Sequence, residues 1–157
     1  MADASTKQSA SSAAIVHIGS GASIAAGAFS GSADVSTSLA RAGNLGAYPR
    51  CEIQIKVQGT ASINSTSQNL YLYRRDMNID GTSDETVPGA SNRQHHMATV
   101  QVPAGTAASW THFINVDNVP LPAAADCEFY LESGLGVNIT AGWSLKVTPK
   151  TNYGATT

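Results

Sequence analysis

The chain has 157 residues, enough for one domain with a sizeable core and too few to suggest a second. Charged residues are 13% of the total and the formal net charge is −2, with no long run of either sign, which argues against electrostatic capture of nucleic acid or of an anionic membrane. Only 6% is aromatic although 42% is hydrophobic, so Ala, Ser, Thr and Gly dominate, as suits a protein packed among other proteins and equally any small-residue β-domain.

Residues 1–13 form a Ser/Ala/Thr arm with neither a basic-then-apolar signal layout nor anything to bury, expected to be mobile or held by a partner. No stretch approaches the roughly 18 apolar residues of a membrane span, and the chain reads as made and kept in the cytosol. Alternation of period two begins at Ala14–Ile18 and returns at Val35–Leu39, separated by Gly19-Ser20-Gly21-Ala22-Ser23. This Gly-rich run lacks a phosphate-binding Lys and a following helix, so it reads as a loop.

The middle of the chain is clearer. Cys51, Ile53, Ile55 and Val57 alternate with Glu52, Gln54 and Lys56, the pattern of a half-buried strand. Leu70 to Arg74 forms another strand and opens into D-x-N-x-D-G. As a calcium loop, Asp76, Asn78 and Asp80 would supply the first three ligands and Gly81 the turn, but Val87 stands where a bidentate Glu belongs. Asp84 or Glu85 could reach back from a differently shaped loop. Strand formers before it and Pro88-Gly89 after it favour a plain strand-to-strand turn.

His95 and His96, adjacent on an extended chain, point to opposite faces and cannot readily share a metal. His17 and His112 could join one of them, but no Cys or carboxylate stands at ligand spacing beside any of the four. Ala98, Val100 and Val102 make the next strand, closed by Pro103-Ala-Gly. Trp110, His112, Ile114 and Val116 then share one face and Phe113 takes the other. Cys127, Phe129 and Leu131 oppose Glu128, Tyr130 and Glu132, which fall on the expected solvent side. A weak strand covers Val137–Thr140, and Trp143, Leu145 and Val147 form a last clean one before a polar tail at 150–157.

Cys51 and Cys127 could meet across a sandwich. With Trp110 between them they are similar to the immunoglobulin Cys…Trp…Cys arrangement, but Ala125 stands where the Tyr of that pattern is expected. Reduced core thiols are the favoured reading. Serines are abundant without a G-x-S-x-G elbow, and Asp117, Glu128 and Glu132 are spaced as acids often are by chance. The expectation is no enzyme, no catalytic residue and no cofactor.

About eight strands and no convincing helix predict an all-β, antiparallel two-sheet β-sandwich, a jelly roll, over residues 14–149. The order of segments resembles the small jelly-roll capsid cement or decoration proteins of tailed bacteriophages. The resemblance rests on the Leu70–Tyr73 strand leading into the Asp/Asn/Gly loop, the Val102–Thr106 turn V-P-A-G-T, the Asn118–Pro122 connection N-V-P-L-P and the Ser133-Gly134 turn. It covers roughly residues 30 to 148 as a pattern.

That resemblance implies a structural virion protein, synthesised in the host cytoplasm, that sits on the capsid exterior, binds the major capsid protein and bridges its subunits. It also implies a homo-oligomer, with dimer and trimer both open. Tyr71, Tyr73, Phe113 and Tyr130 are the candidate partner contacts, and neither nucleic acid nor membrane is expected as a partner. The alternative is a carbohydrate- or receptor-binding sandwich of tail-fibre or lectin type, using Trp110 or Trp143 as a platform and calcium held by Asp76, Asn78, Asp80 and Asp84.

Overall fold

A computed structural model describes residues 13–64, 66 and 68–151, so the expected arm and tail lie almost wholly outside the described residues. Among the described residues seven strands are formed: β1 (Ile15–Gly21), β2 (Arg50–Gly59), β3 (Asn69–Met77), β4 (His96–Gln101), β5 (Trp110–Pro120), β6 (Asp126–Gly134) and β7 (Trp143–Lys150). All pairings are antiparallel, in one sheet of order β1-β7-β2-β5 and another of order β4-β3-β6. A 3-10 turn at Ser32–Asp34 is the helical element among the described residues.

Between β1 and β2 the chain runs along the free edge of β6, meeting it at Phe29↔Glu132 and Leu39↔Cys127. Counting this segment as the second of eight strands, the sheets read 1-8-3-6 and 2-7-4-5, the jelly-roll order. The expected strand Val35–Leu39 is reduced to its last residue. The chain bulges away at the 3-10 turn, where the Asp34 carboxylate accepts the Ala22 and Gly31 N–H groups at 2.7 and 2.9 Å. Val137–Thr140 likewise keeps a single bridge, Ile139↔Ile24, between positive-φ glycines 136 and 142.

Because buried backbone donors must be satisfied, the bulged edge poses an accounting question. Along β6 the N–H groups of Cys127 and Ser133 donate to the Leu39 and Ala28 carbonyls. In the gap between them Leu131 N–H donates to Ser30 Oγ at 3.0 Å and Phe129 N–H to His17 Nε2 at 2.9 Å. A hydroxyl and an imidazole thus replace two carbonyls of an interrupted strand.

The core lies between the sheets and follows the alternation: Cys51, Ile53, Ile55 and Val57 from β2, Leu145 and Val147 from β7, Leu70 and Leu72 from β3, Phe129 and Leu131 from β6. Burying each large apolar side chain contributes about 1.5–3 kcal/mol. Cys51 and Cys127 are free, fully buried thiols. Burial pushes Cys51 up to about 12 and Cys127 higher still, so both are inert as thiolates.

Each tryptophan packs across a strand pair onto a glycine. Trp143 faces Gly21 and Trp110 faces Gly59, and a Cβ on either glycine would come within 2.2 and 2.3 Å of the indole. Each ring N–H donates to a nearby carbonyl, Ala22 for Trp143 and Ala61 for Trp110, both at 2.7 Å.

Candidate functional site

The outer face of the three-stranded sheet gathers most of the chemistry-bearing side chains. Alternation along β3 turns Tyr71, Tyr73 and Arg75 outward, and along β6 it turns Glu128, Tyr130 and Glu132 outward. Register sets Arg75 beside Glu128, Tyr73 beside Tyr130 and Tyr71 beside Glu132.

These residues are not on the solvent side, contrary to the expectation for Glu128, Tyr130 and Glu132. Both glutamates are 6% exposed and Tyr130 is 0% exposed. Contacts from Phe29 and Ser38 on one side and from the β3–β4 connection on the other cover the face. Each carboxylate is held by one tyrosine and one arginine. Glu128 accepts from Tyr130 Oη at 2.5 Å and from Arg75 at 3.2 Å, and Glu132 from Tyr73 Oη at 2.8 Å and from Arg93 at 2.5 Å. Burial and then the Glu132 carboxylate push the Tyr73 phenol up to about 12, and burial and then Glu128 raise Tyr130 as well. Both phenols are therefore donors locked onto acids, not anchors offered to a partner.

Tyr71 is different. Its ring lies over Gly134, where a Cβ would come within 2.8 Å, and it is only half-buried. His96 lies 6.1 Å from it and 5.4 Å from Tyr73 between ring centroids, and Arg93 completes a shallow hollow with these tyrosines and Glu132. Phe113, on the outer face of β5 in the other sheet, is 71% exposed. Of the four candidate contact residues, Phe113 and Tyr71 are accessible, while Tyr73 and Tyr130 are buried.

The Asp76–Asp84 loop does not gather its acids around one centre. Both Asp76 oxygens engage the Arg74 guanidinium at 2.6 and 3.0 Å, and Asn78 Nδ2 donates to Asp126 at 2.6 Å. The Asp80 carboxylate accepts from the Thr82 and Ser83 backbone and from both hydroxyls, which holds it down to about pH 2 as an anion. Asp84 accepts from Asn78 N–H and pairs with Arg75. The four side chains thus engage separate partners, Asn78 through its nitrogen, and close a strand-to-strand turn in which Asn78 and Gly81 take positive φ of 52° and 90°.

No carboxylate stands at ligand spacing beside His95 in the sequence, yet the β3–β4 connection folds Glu85 onto it. His95 Nε2 lies 2.8 Å from Glu85 Oε1, and one ligand-capable atom each of Asp76, Glu85 and His95 falls within 4.8 Å of the others. The pair stands ten positions apart in the chain, a separation that no strand or helix periodicity relates. Glu85 Oε2 accepts the Asp76 N–H at 2.9 Å, and both Asp76 oxygens are held by the Arg74 guanidinium. Burial raises the Glu85 carboxyl, but that N–H and His95 outweigh it and hold the carboxyl below its ordinary range. The other histidines lie elsewhere: His17 in the β6 ladder, His96 among the tyrosines, His112 stacked 5.5 Å from Trp110.

Comparison with protein-family models, with curated proteins and with solved structures gives no match.

Proposed function

We propose that the chain is a structural virion protein that binds the outside of a phage capsid and bridges neighbouring shell subunits. What supports the reading is where the landmarks of the resemblance fall in the jelly roll. The Y-L-Y strand is β3, the Asp/Asn/Gly loop joins β3 to β4, V-P-A-G-T follows β4, N-V-P-L-P ends β5 and begins the turn toward β6, and Ser133-Gly134 ends β6. A body of this kind suits a rigid clamp, because its acids and phenols are tied to one another while apolar area is offered at Phe113.

In this reading the sandwich is the rigid part and residues 1–13 add main-chain hydrogen bonds to a neighbour's sheet edge or groove. Many copies on one shell turn weak single contacts into lasting attachment. Phe113 and Tyr71 are the side chains available to anchor them. Expressing the chain with procapsids and with expanded capsids and weighing its stoichiometry on purified shells tests the proposal. Stoichiometric retention is expected, and a chain that never co-purifies with either form overturns it. Deleting residues 2–13 should lower occupancy, and unchanged occupancy would sink the role given to the arm.

A further inference from the structure

The free edge of β5 closes one side of the four-stranded sheet. β5 pairs with β2 on one side only and ends the four-stranded sheet. Edge strands of isolated domains usually carry a lysine, a proline or a bulge that blocks pairing with another chain. From Trp110 to Val116 β5 has none of these, and its register with β2 is continuous. The first irregularity comes after Val116, where Asp117 and Asn118 together oppose Glu52 and Asn118 takes a φ of 61°. The inward row Trp110, His112, Ile114 and Val116 is only half-buried, while Ile53, Ile55 and Val57 beside it on β2 are fully buried.

We infer that this edge pairs antiparallel with the same edge of a second copy, about a two-fold axis through Phe113. In that register Phe113 meets the partner's Phe113, Thr111 the partner's Asn115, His112 the partner's Ile114 and Trp110 the partner's Val116. No carboxylate or ammonium lies in the seven-residue strip, so two identical edges meet without like-charge repulsion, and the one position that faces itself is apolar. A one-residue slip would exchange inner and outer rows. A shift of the axis to Asn115 would draw the Asp117–Asn118 irregularity into the ladder. Residues 1–12 suit the edge less well: MADASTKQSASS has no aromatic or β-branched aliphatic side chain for the half-buried row, and it joins the domain at β1, the opposite edge of the sheet. The pairing is independent of the capsid reading.

Sedimentation equilibrium on the full chain tests it without any shell present. The expected mass is twice 16.2 kDa. Phe113→Lys and Phe113→Glu, each checked by circular dichroism for an unchanged fold, should each sediment as monomers, because each sets two like charges on the axis. Mixing the two variants should restore the doubled mass, since Lys then faces Glu. A wild-type monomer or trimer, a dimer that survives either single variant, or a mixture that stays monomeric overturns the inference. So does a dimer lost on deleting residues 2–12 but kept by the Phe113 variants, which would make the arm the occupant of the edge.

Discussion

Phe129 N–H donates to His17 Nε2 at 2.9 Å while His17 Nδ1 donates to the Thr37 carbonyl at 2.7 Å. The imidazole is therefore neutral with its proton on Nδ1, and it serves as an acceptor where a strand carbonyl would otherwise stand. Burial is the largest cause of its lowered pKa and outweighs the Thr37 hydrogen bond and the Glu128 charge, which pull the other way.

Stability should follow from that tautomer. Unfolded His17 takes up a proton near pH 6.5 and the folded ring only at lower pH, so its contribution is complete above about 6.5 and is lost as pH falls toward the folded value. The slope is at most about 1.4 kcal/mol per pH unit. His17→Gln keeps an acceptor and a donor without a titrating group, so urea midpoints between pH 7 and 5 should lose this slope. Equal slopes in both proteins would show that another group carries it. Glu85, whose pKa is lowered from 4.5, acts in a separate window: its contribution is present above 4.5 and lost in more acidic solution.

Gly21→Ala should destabilise the fold by about 2 kcal/mol, because the new methyl group overlaps the Trp143 indole and the ring cannot move without leaving the Ala22 carbonyl. Gly59→Ala meets Trp110 in the same way. Thermal melts should show falls of roughly 4–8 °C for either. Gly89→Ala, where nothing lies within 4 Å of the added carbon, is the control and should melt as the parent does.

The two arginines of the outer face should differ in weight. The Arg75 side chain is 16% exposed, and its removal as Arg75→Met leaves the buried Glu128 carboxylate without its cation, at a cost of about 3 kcal/mol. Arg93 is 54% exposed, so water can replace it beside Glu132 and Arg93→Met should cost clearly less. Denaturant unfolding of the two single variants and the double variant separates the contributions, and equal losses would mean that the buried and exposed ends of the network are not distinct.

Much of the fold was legible because alternation is a local signal. Cys51 to Val57 and Trp143 to Val147 declare their buried faces within a few residues, and both do face the core. The outward row Glu128, Tyr130 and Glu132 misled for the same reason. Period two tells which side of the sheet a residue takes, but not that Phe29, Ser38 and the β3–β4 connection cover that side. The Glu85–His95 pair and the use of His17 as a strand substitute were illegible because loop closure and a bulge create them. The Gly–Trp pairs had a signal that could have been read: a glycine in or at the end of an alternating strand marks a place where a large ring approaches the backbone.

Calcium should leave the protein unchanged. The Asp76, Asn78, Asp80 and Asp84 side chains already serve Arg74, Asp126, the Thr82–Ser83 turn and Asn78 with Arg75. Melts in millimolar calcium and in chelator should superimpose, and a rise of several degrees with calcium would show that the carboxylates can abandon those partners. Asp80→Ala should speed hydrogen exchange at the Ser83 amide. In the parent, that protection should persist through ordinary acid and fail only as pH nears 2, since the depressed carboxyl must be protonated first.

β7 is the last strand of the described chain, yet it lies in the interior of its sheet, between β1 and β2. During synthesis β1 and the inner edge of β2 must therefore wait, unpaired, until more than 140 residues have left the ribosome. Pairing at such separation makes folding slow and leaves apolar strand edges open to neighbouring nascent chains. Premature termination within β7 would thus split the sheet down its middle, so even short truncations from that side should yield insoluble protein.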